Sequence, residues 1–180
     1  MTRYVIDSNS FISAARNFYR FKIFPSFWDW FIAQFTKKNN PLILPRCVYN
    51  ELTDRNHGTD HLAKVVMNKL ESLVYDETVS SEIINNYTKV INYITSCGYY
   101  KQQSFDNWMQ PWKADPFLIA IAMQGSKRNP IKIVTFELPN RNLNIKNPQK
   151  HEPKIPDVAK HFGVSCVDLY DLEKALKLKI

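Results

Sequence analysis

The stretch YVIDSNSF, residues 4–11, decides how the chain is read. Tyr4, Val5 and Ile6 form a short run of strand-forming residues. Asp7 closes that run, and Ser8, Asn9 and Ser10 follow it. An acid at the end of a buried strand either caps a helix or turn, or presents a charge that is used. The rest of the chain separates the two readings, because a ligand acid needs companions and a turn former does not.

Working outward, apolar patterning predicts a strand at 3–7, a buried strand at PLIL (41–44), a β-branched strand at IKIVT (131–135) and a last strand in VSCVD (164–168). Helices are expected at 10–17, capped by Asn9 or Ser10, and at about 26–37, where Phe24, Phe27, Trp28, Phe31 and Phe35 recur at helical spacing. Pro45 permits another helix in RCVYNELTD, and further helices are expected at 59–73, at 80–96 after a Ser80 or Ser81 cap, in IPDVAKHFG and in LYDLEKALKL. In ADPFLIAIAMQG (114–125), Asp115 reads as the cap, Pro116 as the first helical position and Gly125 as the stop. Residues 139–153, rich in proline, read as a long loop. Strands alternating with helices predict an α/β domain with a mainly parallel sheet. With 180 residues and no linker-like stretch, a single domain over 1–180 is expected.

Composition narrows the function classes. The chain carries 24 Lys and Arg against 17 Asp and Glu, a net charge of +7 that favours a polyanionic or acidic partner. No segment approaches the roughly 18 apolar residues of a membrane span. MTRYVIDSNS has an acid and polar residues where a signal peptide needs an apolar stretch. Cys47, Cys97 and Cys166 are odd in number and far apart, which suits neither a disulfide framework nor a CxxC zinc site. They read as small apolar side chains in a reducing, cytoplasmic protein without a membrane partner.

In parallel sheets, ligands gather beyond the carboxyl ends of the strands where strand order reverses. Asp7 and Glu137 stand at or just past such ends, Asp115 opens a helix on the same side, and Glu51 lies one to two turns into the helix after strand 41–44. Four carboxylates in one crevice repel one another, so they bind protons or cations. Mg²⁺ suits a few carboxylates together with substrate phosphate, and Mn²⁺ accepts the same oxygen ligands.

These segments resemble the PIN-domain ribonucleases, including the toxin nucleases of toxin–antitoxin pairs. YVIDSNSFI is similar to the family's opening motif, LPRCVYNEL to its second, ADPFLIAIA to its third, and IVTFE to its fourth, with Glu137 where an aspartate is usual. The resemblance runs in order across residues 3–137, and IPDV, FGVSC and the last helix continue a longer PIN-like subfamily. It implies a three-layer α/β/α domain with additional helices. It also implies a metal-dependent endoribonuclease in which Asp7, Glu51, Asp115 and Glu137 hold Mg²⁺ or Mn²⁺, and Asn9 and Thr135 support the metal shell or phosphate. The implied partners are RNA and a cognate antitoxin; a homodimer is a further option that the aromatic residues leave open. The alternative is a catalytically inactive PIN-like domain that binds nucleic acid or protein.

Competing readings attach to several residues. Asp157 is a substitute fourth acid or an ordinary first-turn residue. His57 and His61 have metal-binding spacing, but Gly58 interrupts the helix and favours a surface role. Trp28, Trp30, Trp108 and Trp112, with Phe18, Tyr19 and Phe21, are core or interface residues, or stack on bases beside Arg16, Arg20 and Lys22. A phosphotransferase with Asp7 as nucleophile needs a second acid two residues later, where Asn9 stands.

Overall fold

The first strand, β1 (Arg3–Ile6), lies inside the sheet, with Val5 and Ile6 fully buried. A strand covered on both faces reads as a continuous apolar run, as YVI does. The structure, a computed structural model, describes residues 1–37, 39–53 and 62–179, apart from the side chains of Ala63 and Val65. His57 and His61 lie outside the described residues.

β1 pairs in parallel with β2 (Leu42–Ile43) on one side and β3 (Ile131–Val134) on the other, and β4 (Cys166–Val167) extends the sheet beyond β3. The order β2-β1-β3-β4 is parallel throughout. The expected mainly parallel α/β sheet is therefore present, flanked by helices in the manner of a three-layer α/β/α domain. The chain leaves β1 for β2 on one side, then returns for β3 on the other. Strand order reverses between β1 and β3, so the crevice of such a sheet lies beyond Ile6 and Val134.

Each connection carries helices. α1 (Ser8–Ser13) begins directly after Asp7 and continues as a π-helical turn, Ala14–Phe18. It starts two residues earlier than the sequence predicts, because Asp7 itself takes the extended backbone of a cap position. α2 (Pro25–Thr36) buries Phe27, Trp28, Phe31 and Phe35, which pack with Phe11 in a stacked and edge-on cluster. Trp108 is also buried, so most of this aromatic set builds core.

α3 (Arg46–Thr53) follows β2. A π-helical segment (Leu62–Met67), the single turn α4 (Asn68–Leu70) and 3₁₀ turns at Glu71–Leu73 and Glu77–Val79 lead to α5 (Ser81–Ser96). Ser80 caps α5 through its hydroxyl, which accepts from the Ile83 N–H. After the short α6 (Gln102–Phe105), α7 (Ala114–Ala122) packs on α5 and lies over β1 and β3. α7 is buried from Pro116 through Ala122, as its unbroken FLIAIA run predicts. α8 (Ile155–His161) packs against α7, and α9 (Leu169–Ala175) closes the chain. Among the described residues, no helix is long and apolar enough to cross a membrane.

Candidate active site

Asp7 is the hub of the crevice. Its N–H donates to the Val134 carbonyl at 3.0 Å, which fixes it where β1 and β3 end together. Asp7 is 1% exposed, and besides the Asn9 N–H in the first turn of α1 its carboxylate engages groups outside that helix, so capping alone does not account for the acid. Oδ2 accepts the Thr135 hydroxyl at 2.8 Å, and Oδ1 faces the Ser8 hydroxyl at 3.4 Å.

Two hydroxyls carry this hub to the neighbouring acids. Ser8 Oγ donates to Glu51 Oε2 at 2.8 Å, and Glu51 Oε1 accepts the Ala114 N–H at 3.2 Å. Glu51 on α3 therefore touches both the start of α1 and the start of α7. Thr135 Oγ accepts the Glu137 N–H at 3.1 Å, which holds the strand end in the turn that delivers Glu137.

Asp115 sits in the first turn of α7, two positions further in than the sequence predicts. Lys113 holds the cap position, and the Asp115 side chain ion-pairs with Lys113 Nζ at 3.2 Å. The ADP pattern is a good cap locally, but the carboxylate is drawn to an ammonium that the same turn supplies. Lys113 also meets Glu152 at 3.3 Å, and Asn107 donates to the other Glu152 oxygen at 2.6 Å. Glu137 has a lysine of its own, Lys154, at 3.0 Å, and its second oxygen accepts the Ile155 N–H at 2.8 Å.

The four acids share one electrostatic field. Desolvation by burial raises Asp7 to about 6; the Thr135 hydrogen bond opposes this, and the charges of Glu137 and Glu51 add to it. Burial likewise raises Asp115 to about 7 against the pull of Lys113, with Asp7, Glu137 and Glu51 all contributing. Burial also pushes the Cys166 thiol up to about 12, and Glu137 and then Asp7 add to the effect. Lys113 loses by burial and gains more from Asp115 and Glu152, so its charge is held above the ordinary range.

Asp157 feels the charge of Glu137, but its carboxylate is engaged elsewhere. Both its oxygens accept the Asn140 N–H at 3.1 Å, so it clamps the loop after β3. Asn9 is exposed, and its backbone N–H rather than its amide acts on Asp7. Thr135 is buried and bonded to Asp7.

An all-oxygen set of buried, mutually repelling carboxylates fits a hard divalent cation in kind. It does not do so in present position. Among the described residues, no three His, Cys, Asp or Glu side chains are placed to hold one ion. The hydrogen bonds explain why: Glu51 and Glu137 are turned onto backbone N–H groups, and Asp115 and Glu137 each face a lysine. Lys113 and Lys154 were invisible to motif reading. Lys113 stands two residues before Asp115, but Lys154 reaches Glu137 across the long loop.

A protein-family model described as Domain of unknown function (DUF4411) matches residues 4–180. No curated protein and no solved structure matches the chain.

Proposed function

The chain belongs to the family described as Domain of unknown function (DUF4411), and we propose that it hydrolyses RNA phosphodiester bonds as a Mg²⁺- or Mn²⁺-dependent endoribonuclease of PIN-like type. The observation that carries this reading is the coupling of Asp7, Glu51, Asp115 and Glu137 at the point where strand order reverses. The four come from four separated segments, which is costly to arrange for stability alone.

When bound, a divalent cation supplies charge stabilisation at an attacked phosphoryl group and a more acidic water. The chain's own residues prepare for it. Asp7 and Asp115, from β1's end and the first turn of α7, would present their carboxylates to the ion. Ser8 and Thr135 hold the carboxylates of Glu51 and Asp7 in register. Lys113 and Lys154 pair with Asp115 and Glu137 and so limit the repulsion among the acids. The surplus of basic residues draws a polyanion toward the site. On the same reading the protein is the toxin of a toxin–antitoxin pair, restrained by a cognate antitoxin.

A panel of labelled RNAs incubated with Mg²⁺, Mn²⁺ or chelator tests the reading, with wild type beside Asp7→Asn. Cleavage should require metal, and Asp7→Asn should lower it by about 100-fold or more with the fold retained. Cleavage by Asp7→Asn at the wild-type rate rejects the assignment.

The second reading, a PIN-like domain that binds without cutting, is favoured by one observation. Two of the four acids already have a lysine counter-ion from the chain. Calorimetric titration of the same samples separates the two. Heat of Mn²⁺ binding that disappears in Asp7→Asn supports the nuclease, and its absence from wild type supports the binding module.

A further inference from the structure

Three aromatic rings from three distant segments meet beside the acids. Phe18 ends the π-helical turn after α1, Phe136 lies between Thr135 and Glu137, and Tyr170 is in the first turn of α9. Their centroids are 5.4 Å (Phe18–Phe136), 5.5 Å (Phe18–Tyr170) and 5.9 Å (Phe136–Tyr170) apart. The rings are tilted or edge-on to one another, and Phe136 is half-buried between the two more exposed rings. Phe18 is 36% exposed and Tyr170 47%, unlike the buried aromatics of α2.

Phe136 also lines a cleft of about 600 Å³. Thr135, Glu137, Leu138, Pro139, Lys160 and Val167 are among its lining residues. It also carries Asp168 and Asp171, of which Asp168 is occupied in capping α9 through the Asp171 N–H at 2.8 Å. Basic residues neighbour the trio in sequence and line the cleft: Arg16 is on the same turn as Phe18, Arg20 lies two residues beyond it, and Lys160 is exposed at the cleft. Apolar ring faces beside cations are what a single-stranded nucleic acid meets on its binding proteins: bases stack while phosphates are held electrostatically. A base inside a duplex has both faces covered and cannot use such a platform.

We propose that the Phe18–Phe136–Tyr170 trio and the adjoining cleft are a stacking site for unpaired bases of single-stranded RNA, which sets the neighbouring phosphate beside Thr135 and Glu137. The identity of the polymer rests on the nuclease reading; the platform itself rests on the rings and the cleft. Phe136 gives the continuity, since a base seated on it is one residue from two members of the acid network.

The test uses the full-length protein in chelator, where no cleavage occurs, and follows fluorescence anisotropy of a labelled single-stranded RNA and of the same sequence as a duplex. The single strand should bind about 10-fold or more tightly than the duplex. Phe18→Ala and Tyr170→Ala should each weaken it roughly 5- to 150-fold, while Tyr170→Phe stays within about twofold, because the ring face remains. Circular dichroism reports folding; if Phe18→Ala fails to fold, Tyr170→Ala, whose ring is the more exposed, decides alone. Equal affinity for strand and duplex overturns the proposal, as does unchanged affinity in the alanine variants. Loss of self-association in sedimentation with RNA affinity unchanged assigns the face to a second copy and overturns it too. Single-strand binding with no cleavage in Mg²⁺ sinks the hydrolytic reading and leaves the stacking site standing; cleavage with unaltered affinity in the ring variants does the reverse.

Discussion

Glu173 on α9 accepts the Tyr19 hydroxyl at 2.9 Å through Oε2, while Oε1 is buried with no donor among the described residues. Burial raises its pKa, Tyr19 opposes this and Asp168 adds to it. A carboxylate raised in the folded state binds more protons there than in the unfolded chain. Its contribution is therefore most favourable below the unfolded value of 4.5 and is lost as pH rises through the folded one. Glu173→Gln keeps an acceptor for Tyr19 and removes the charge. Its melting temperature should exceed that of wild type at about pH 8, and the gap should close toward about pH 4. A gap that does not vary with pH rejects the account. This residue also marks a limit of reading the chain alone: LYDLEKAL announces a helix, but whether Glu173 faces water or Tyr19 is settled by a contact 154 residues away. Asp7 was legible for the opposite reason, since an acid ending an apolar strand conflicts with its own neighbourhood.

At the scale of elements, the placing of Glu51 depends on how α3 begins. Glu77, 2% exposed, accepts the Arg46 N–H at 2.8 Å and the Cys47 N–H at 2.9 Å, so one carboxylate from a later turn caps α3 with both oxygens. Glu77→Ala leaves the Cys47 N–H unpaired and a helix dipole unanswered, while the Arg46 N–H keeps the Tyr75 carbonyl at 2.8 Å, at a cost of about 1–3 kcal/mol. For a chain of this size that is a fall of roughly 2–12 °C in a thermal melt. Glu77→Gln should lose less, because its amide oxygen still accepts one bond; equal losses would show that charge, rather than pairing, fixes α3. Pro45 signalled where α3 starts, but nothing in PRCVYNEL signals a cap thirty residues on. The same asymmetry explains Asp115. Local grammar makes ADP a cap, and the fold instead gives Lys113 that position and turns the acid toward its ammonium.

For the whole molecule, the layered α/β architecture was readable because period and punctuation agree along most of the chain. The strand ends that present Asp7 and Thr135 followed from it. The sheet order was not readable, since β1 pairs on both sides with strands remote in sequence, and neither were the lysines that now neutralise two of the acids. Net charge belongs to this scale as well. With +7 overall, RNA affinity of the metal-free protein should fall steadily between about 50 mM and 200 mM salt, as bound counterions are released. Affinity indifferent to salt in a binding titration would point to a protein partner in place of RNA.

The seam between β1 and β3, locked by Thr135 on Asp7, joins residues 128 positions apart. Such distant closure is slow compared with helix formation. During synthesis the first strand is made early and must wait for most of the polypeptide before its acid acquires its neighbours. A ribosome part-way through the message thus holds an incomplete crevice, and any cutting power arrives only with the late segments. On the nuclease proposal, that timing would shield the message still being translated.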